Sequence, residues 1–409
     1  MGVLLAYFYE EDQPAHVYAR YGVMGLRHRG PRVSYAVLRG GGLEAGSIDP
    51  WSDGWSLPPG GAVVAAVEPT GRLAASRRAA VAVDGACSPE KALKAVEGAR
   101  GPGEAGEALA SLEEFDACSV AALRADGGYL LYRGRLGVRP LSVGGYGFDA
   151  LYAATETAPI TLMGGEHRHD LEPGEAVYGD RYSLDTVSAG RGRRGTSLFE
   201  YIYLARPDSL VDGVNVYMFR REMGRRLARS HQVEVDVVVG VPETALPYAL
   251  GYAEEKRAPL ELALVSTLGR VRTAIMSTGS VEERLMALSL KFNPVPGVFE
   301  GKRVAVVDDS VVTGLTLKTF IHRLWRSQAP REIHVAVSSP RIVAPCPHRV
   351  QLLDPGTLIA RQLRDEHIKR VLDVDSLAWL PLGEAVSYLR ARGVDPCTAC
   401  MSDREVAGK

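Results

Sequence analysis

The chain has 409 residues, which at roughly 150 residues per domain allows two or three domains with a sizeable core and excludes a peptide-sized module. Lys plus Arg number 48 against 49 Asp plus Glu, so the formal net charge of -1 lacks the basic excess of a nucleic-acid binder. With 46% apolar and 24% charged residues, the composition is that of a folded protein and not of a disordered one.

The run Met1 to Tyr9 is apolar but has no basic leader and meets Glu10 at once, so it is expected to be a first strand and not a signal peptide. No run approaches the ~20 apolar residues that span a bilayer. A cytoplasmic protein without membrane contact is the expectation. Further short apolar runs follow at Ser34 to Leu38, Ala62 to Val67, Ala79 to Val83, Ser119 to Leu123, Tyr129 to Tyr132 and Ala150 to Ala154, with turn residues between them. That spacing predicts sheet-rich layers over residues 1–190. Pro89 to Gly98 and Gly103 to Leu112 are the main helical candidates, and Arg191 to Gly195 is a candidate linker. From Asp236 the pattern changes. DVVVGV, ELALV, VAVV and IHVAV are continuous Val/Ile/Leu/Ala runs separated by amphipathic stretches, as strands of a parallel sheet covered on both faces require.

Five cysteines without a secretion signal are expected to be reduced thiols or a metal site, not a disulfide framework. Cys118, before Ser-Val-Ala-Ala, fits a buried small apolar residue. Asn215 and Asn293 are the only asparagines, a scarcity that hints at a heat-adapted source.

The most informative stretch is VAVVDDSVVTGLT, Val304 to Thr316. A buried strand ends in Asp308 and Asp309, and a loop carrying Ser310, Thr313, Gly314 and Thr316 opens a helix. Ligands of open α/β sheets sit at such strand ends. Gly314 permits close backbone approach, the helix start offers unpaired amides, and the threonine hydroxyls add donors for a phosphate. The carboxylates can accept hydrogen bonds from ribose hydroxyls and attract hydrated Mg²⁺. The plainer reading is a solvated turn in which the aspartates cap the next helix.

This segment resembles the 5-phosphoribosyl 1-pyrophosphate (PRPP) signature of the type I phosphoribosyltransferases. With FEYIYLARPDSLVDGVNVY at 199–217, VVGVPETALPYALGYAEE at 238–255 and SSPRIVAPC at 338–346, the chain is similar to the amidophosphoribosyltransferase family. The resemblance implies an αββα glutaminase-like domain at 1–190, a type I phosphoribosyltransferase domain at 197–390 and a tail at 391–409. It implies Mg²⁺ at Thr244, Asp308 and Asp309. Pro242, Glu243 and Thr244 would meet the pyrophosphate and Ser310 to Thr316 would hold the 5-phosphate. Arg272 and Lys291 would be catalytic cations, beside Thr273 and Asn293 of a mobile loop. Ser266 to Gly269 replace that loop's Lys-Asn-Arg-Tyr.

In the resembled family a terminal cysteine hydrolyses glutamine. Gly2 stands at that position here and supplies no nucleophile. GLRHRG at 25–30, GVRPLSVGGYG at 137–147, TET at 155–157 and LEPGE at 171–175 match the family, but its oxyanion-hole His-Asn-Gly is Val83, Asp84, Gly85, whose carboxylate is expected to repel an oxyanion. The expected reaction therefore forms 5-phosphoribosylamine from PRPP with ammonia, free or from a separate glutaminase, in place of the protein's own glutamine hydrolysis. A non-catalytic PRPP or nucleotide regulator and a base-salvage transferase are the competing readings. The resemblance also implies purine nucleotides as inhibitors, a homo-oligomer, and an iron-sulfur cluster through Cys346, Cys397 and Cys400, with Ser197 at the fourth position.

Overall fold

The computed structural model describes residues 2–10, 13–68, 71–188, 192, 195–266 and 292–401. The N-terminal domain stacks two antiparallel sheets. The seven-stranded sheet runs, edge to edge, Glu166–Asp170, Ser142–Tyr146, Ala150–Ala154, Gly2–Phe8, Ala62–Val67, Val33–Arg39 and Gly42–Ile48. The six-stranded sheet runs Leu184–Ser188, Glu175–Gly179, Tyr129–Arg133, Ser119–Arg124, Ala79–Asp84 and Gly71–Ala75.

Side-chain alternation explains why the central strands are apolar throughout. Val3, Leu5 and Tyr7 pack between the sheets, while Leu4, Ala6 and Phe8 pack under the helix Ala15–Leu26. Helices Pro89–Gly98 and Pro102–Ala110 cover the outer face of the second sheet. The four layers are therefore αββα. All seven N-terminal strands expected from the sequence are present. Six others carry weaker signals: EHRHD at Glu166–Asp170 is a polar edge strand, and SVGGY at Ser142–Tyr146 is mostly glycine and serine. The helix Ala15–Leu26 was not expected, because Gly22 and Gly25 interrupt an otherwise helical run.

The C-terminal domain is built on a four-stranded parallel sheet ordered Val237–Gly240, Arg303–Asp308, Glu332–Val337 and Ser376–Trp379. Val238, Ala305, Val307 and Ala336 face helices Val216–Ser230 and Leu246–Lys256, while Val239, Val306 and Val335 face helix Leu315–Gln328. Two sequence expectations need correction. The ELALV run does not supply a strand of this sheet. Leu264–Ser266 instead pairs antiparallel with Phe292–Pro294, and only Leu260 bridges to Val238. The fourth parallel strand is SLAW at Ser376–Trp379, all half-buried, which has too short an apolar run to stand out. The candidate linker Arg191 to Gly195 lies mostly outside the described residues. No helix among those described is long and apolar enough to cross a membrane.

Candidate active site

The parallel sheet brings three segments to one edge. Val241 N–H donates to Val307 O at 2.9 Å, which seats the Pro242–Ala245 loop beside the end of the Arg303–Asp308 strand. Ser338 N–H donates to Asp308 O at 2.8 Å from the other side. The loop holds a cis Pro242–Glu243 peptide and then enters the helix starting at Leu246.

Asp308, Asp309 and Ser310 are half-buried. Asp308 Oδ1 accepts the Asp309 N–H at 2.9 Å, and Ser310 Oγ donates to Asp309 Oδ1 at 2.9 Å. The next helix has Gly314 at its N-cap with no side-chain cap bond, and Thr313 Oγ1 accepts the Leu315 N–H at 3.2 Å. The aspartates are therefore not helix caps, and the solvated-turn reading loses its main support. Gly314 sits at φ +71°, in the left-handed region that favours glycine, and a Cβ there would come within 3.0 Å of Ile359 Cδ1. Thr313 is exposed and Thr316 half-buried, so both hydroxyls lie near the surface at the helix start. Arg272, Thr273, Lys291 and three of the four altered loop residues, Thr267 to Gly269, lie outside the described residues. Asn293 is described, and its Oδ1 accepts from Arg323 Nη2 at 2.6 Å.

Oxygen donors suit Mg²⁺, which keeps several waters and takes one or two carboxylates plus substrate phosphates. Asp308, Asp309 and Thr244 provide that donor type. The cysteines fit their implied group less well. Cys397 and Ser197 are joined by a parallel bridge, Leu198 N–H donates to Cys397 O at 3.0 Å, and Val343 N–H donates to Cys400 O at 2.9 Å, so Cys346, Cys397, Cys400 and Ser197 lie on adjoining segments. Cys346 Sγ accepts the Val350 N–H at 3.3 Å. Burial pushes the Cys400 thiol up to about 12 and raises that of Cys397. Among the described residues no cluster of three or more His, Cys, Asp or Glu side chains is placed to hold a metal ion. Three sulfurs and a serine do not make a four-thiolate set.

The glutaminase-like site differs again. A Cβ at Gly2 would lie 3.0 Å from Thr155 Oγ1 and 3.3 Å from Arg29 Cδ. Arg29 is held by two carboxylates, Glu156 at 2.6 Å and Glu200 at 2.9 Å, and all three side chains are fully buried. Burial opposes the charge on Glu156, yet Arg29 and His28 outweigh it and keep the carboxyl well below the usual range. Asp84, the residue at the family's oxyanion-hole position, is paired with a buried cation. Its Oδ1 lies 3.1 Å from Arg139 Nη1, both side chains being fully buried.

Of the five cysteines, expected as reduced thiols or a metal site, Cys346, Cys397 and Cys400 are free and the other two depart from that expectation. Cys87 and Cys118 form a disulfide, because neighbouring strands bring their Cα atoms to 6.5 Å. Cys118 is buried as expected, but bonded. Sequence reasoning missed the partners Glu200, Arg139 and Asp212, which join the domains. Charged residues inside apolar runs, such as Glu200 in FEYIYL, were the available signal.

An αββα layered domain followed by a parallel sheet with this acidic strand end and Thr-Gly loop is the build of a layered amidotransferase-type domain joined to a phosphoribosyltransferase fold. The phosphoribosyl transferase domain family matches residues 215–345. Amidophosphoribosyltransferase of Methanothermobacter thermautotrophicus is 36% identical over 270 residues, covering 66% of this chain and 56% of the relative. That of Archaeoglobus fulgidus is 35% identical over 308 residues, covering 74% and 66%. The matched stretches thus span 56 to 66% of these curated relatives. The solved glutamine PRPP amidotransferase of B. subtilis, complexed with ADP and GMP, superposes with a TM-score of 0.84 at 25% identity over 98% of this chain and 96% of that one. The chain belongs to the amidophosphoribosyltransferase family.

Proposed function

We propose that the protein forms 5-phosphoribosylamine from PRPP and ammonia at the edge of the parallel sheet, a glycosyl transfer of purine synthesis. The observation that carries this reading is the meeting of Pro242–Ala245, Asp308–Asp309 and Ser310–Thr316 at one strand end. Thr244, Asp308 and Asp309 would hold Mg²⁺, which would neutralise charge on the pyrophosphate of PRPP. Asp308 and Asp309 accept hydrogen bonds from the ribose hydroxyls and fix the sugar. The amides following Gly314, with Thr313 and Thr316, hold the 5-phosphate and leave the anomeric carbon facing the acceptor. The ammonia lone pair forms the new C–N bond as the C–O bond to pyrophosphate breaks, and the resulting ammonium centre loses a proton to solvent. In this reading Pro242 to Thr244 meet the departing pyrophosphate, and the family resemblance assigns Arg272 and Lys291, outside the described residues, as the cations whose charge would stabilise the leaving group.

The N-terminal domain, assigned to residues 1–190, serves in this reading as a scaffold without glutaminase activity, and the transferase domain spans 197–390 before the tail at 391–409. Ammonia then comes from solution or from a separate glutaminase. Purine nucleotides are proposed inhibitors, since a relative's structure contains ADP and GMP, and a cytoplasmic homo-oligomer is the proposed working form. We assign the cysteines no step in the reaction. Stoichiometric iron in anaerobically purified protein would show that Ser197 completes a cluster after all.

The test measures pyrophosphate release from PRPP and Mg²⁺ with ammonium, with glutamine and with neither. Ammonium-dependent release, with no glutamate formed from glutamine, is expected. Release that needs a purine base would favour salvage, and PRPP binding without release would favour a regulator.

A further inference from the structure

We infer that the Asp84–Cys87 loop is a disulfide-set clamp between the two domains, closed while Cys87 and Cys118 are bonded and slack when a dithiol reduces them. This inference is independent of which reaction the transferase domain performs.

The clamp can be followed atom by atom. Cys118 immediately precedes Ser119, which pairs with Asp84 across adjacent strands, so the disulfide and Asp84 share one end of the sheet. Gly85, at φ +141°, folds the loop over the bond so closely that a Cβ would lie 2.4 Å from Cys118 Sγ. Arg72 Nη2 donates to Cys87 O at 2.6 Å and braces the loop from the neighbouring strand. Thus fixed, Asp84 meets the Arg139 guanidinium at 3.1 Å. Ser119 Oγ donates to Arg139 O at 2.9 Å and anchors that residue's backbone. Arg139 then reaches across the domain boundary, donating from Nη2 to Arg349 O at 2.6 Å and to His348 O at 3.3 Å. His348 and Arg349 follow Cys346 in the transferase domain.

Electrostatics gives the loop its consequence. Arg139 is fully buried and its guanidinium needs a counter-charge, because removing one partner of a buried pair leaves an uncompensated ion. The disulfide closes a chain separation of 31 residues and holds that partner in place. Reduction transfers two electrons and two protons from the dithiol, which becomes a cyclic disulfide, and leaves two thiols on the protein. Both cysteines are 1% exposed, so reductant reaches the bond only when the loop opens.

The first arm of the test alkylates the full-length protein in denaturant without reductant and maps its peptides. Cys346, Cys397 and Cys400 should be modified and Cys87 recovered linked to Cys118; five modified cysteines would overturn the proposal. The second arm compares oxidised and dithiol-reduced wild-type protein. Reduction should lower Tm by roughly 5–10 °C and speed hydrogen exchange within residues 343–351 across the boundary. A lower Tm with unchanged exchange there would reduce the bond to a local staple and defeat the clamp. Cys118→Ser should match the reduced protein without reductant, and if that variant does not fold, the wild-type comparison decides alone.

Discussion

The two domains use charged side chains in opposite ways. At the end of the parallel sheet Asp308 and Asp309 are half-buried, joined to each other and to Ser310 by short-range hydrogen bonds, and they leave a strand whose apolar run ends abruptly. At the Gly2 site every charge is fully buried and answered by an opposite charge: Arg29 by Glu156 and Glu200, Asp84 by Arg139. A further pair, Arg133 with Asp212, closes the same boundary at 2.6 Å, with Thr196 bonded to both. Charges paired inside the protein hold the domains together, whereas Asp308 and Asp309 stand at a half-buried strand end. The buried pairs around Gly2 form part of the joint between the domains.

Altering the accessible pair should have the largest effect on the reaction and little effect on the fold. Replacing both Asp308 and Asp309 by Asn is expected to cut ammonium-dependent pyrophosphate release by on the order of 10³-fold, through lost orientation and lost charge near the metal chelate, with Tm nearly unchanged. Steady-state kinetics beside a thermal melt checks both halves of that expectation. Glu200→Ala should do the reverse. It leaves Arg29 buried with one carboxylate, at a cost of about 3–5 kcal/mol in urea unfolding, while the activity of the molecules that remain folded should persist. Equal losses of activity in the two variants would erase the distinction between the domains.

Inside the transferase domain a buried histidine responds to pH. His231 is 5% exposed, with Tyr252 Oη 2.9 Å from Nδ1 and Ser376 Oγ 2.8 Å from Nε2; Ser376 also meets His334, which faces Glu332, and Lys256 donates to His231 O. Burial, with the charges of His334 and Lys256, lowers the His231 pKa to about 4. The unfolded chain, with a pKa near 6.5, therefore binds the proton first. Stability contributed by neutral His231 is complete above about pH 6.5 and declines as pH falls toward 4, by up to about 3 kcal/mol. Urea titrations at pH 7 and 4.5 should show this decline, and His231→Gln should flatten part of it.

Much of this was legible in the sequence because it depends on local pattern. The apolar strand, acidic doublet, Thr-Gly-x-Thr loop and helix are contiguous, and their burial follows from alternation along a few residues. The seven short N-terminal strands were visible for the same reason. Partnerships across more than a hundred residues were not. Nothing near Arg29 announces Glu200, and nothing near Cys118, which reads as a small apolar residue, announces its partner Cys87 across 31 residues. ELALV carried a strand-like pattern that could not reveal its antiparallel partner at Phe292–Pro294. At Gly314 local pattern and tertiary contact agree: Gly314→Ala adds a Cβ in a left-handed conformation against Ile359, so a cost of about 1–2 kcal/mol and weaker PRPP binding in titration calorimetry are expected.

The smallest expected effect is the most pointed test of the contrast between the domains. Gly2→Cys restores the side chain that a glutaminase of this family uses as nucleophile, yet its Cβ would enter a space bounded by Thr155 Oγ1 at 3.0 Å and Arg29 Cδ at 3.3 Å. Thr155 is further committed, because its Oγ1 accepts the Val3 N–H at 2.8 Å. Arg29 cannot withdraw without stretching its bonds to Glu156 and Glu200. The new thiol should therefore be crowded, at about 1–2 kcal/mol of overpacking, with no amide donor from an asparagine to steady a tetrahedral intermediate. Glutamate release by Gly2→Cys should remain at the level of the unsubstituted protein in a coupled dehydrogenase assay. Measurable glutaminase turnover would mean that the Asp84 and Arg29 pairs leave a working pocket, and the view of this domain as a joint would have to be given up.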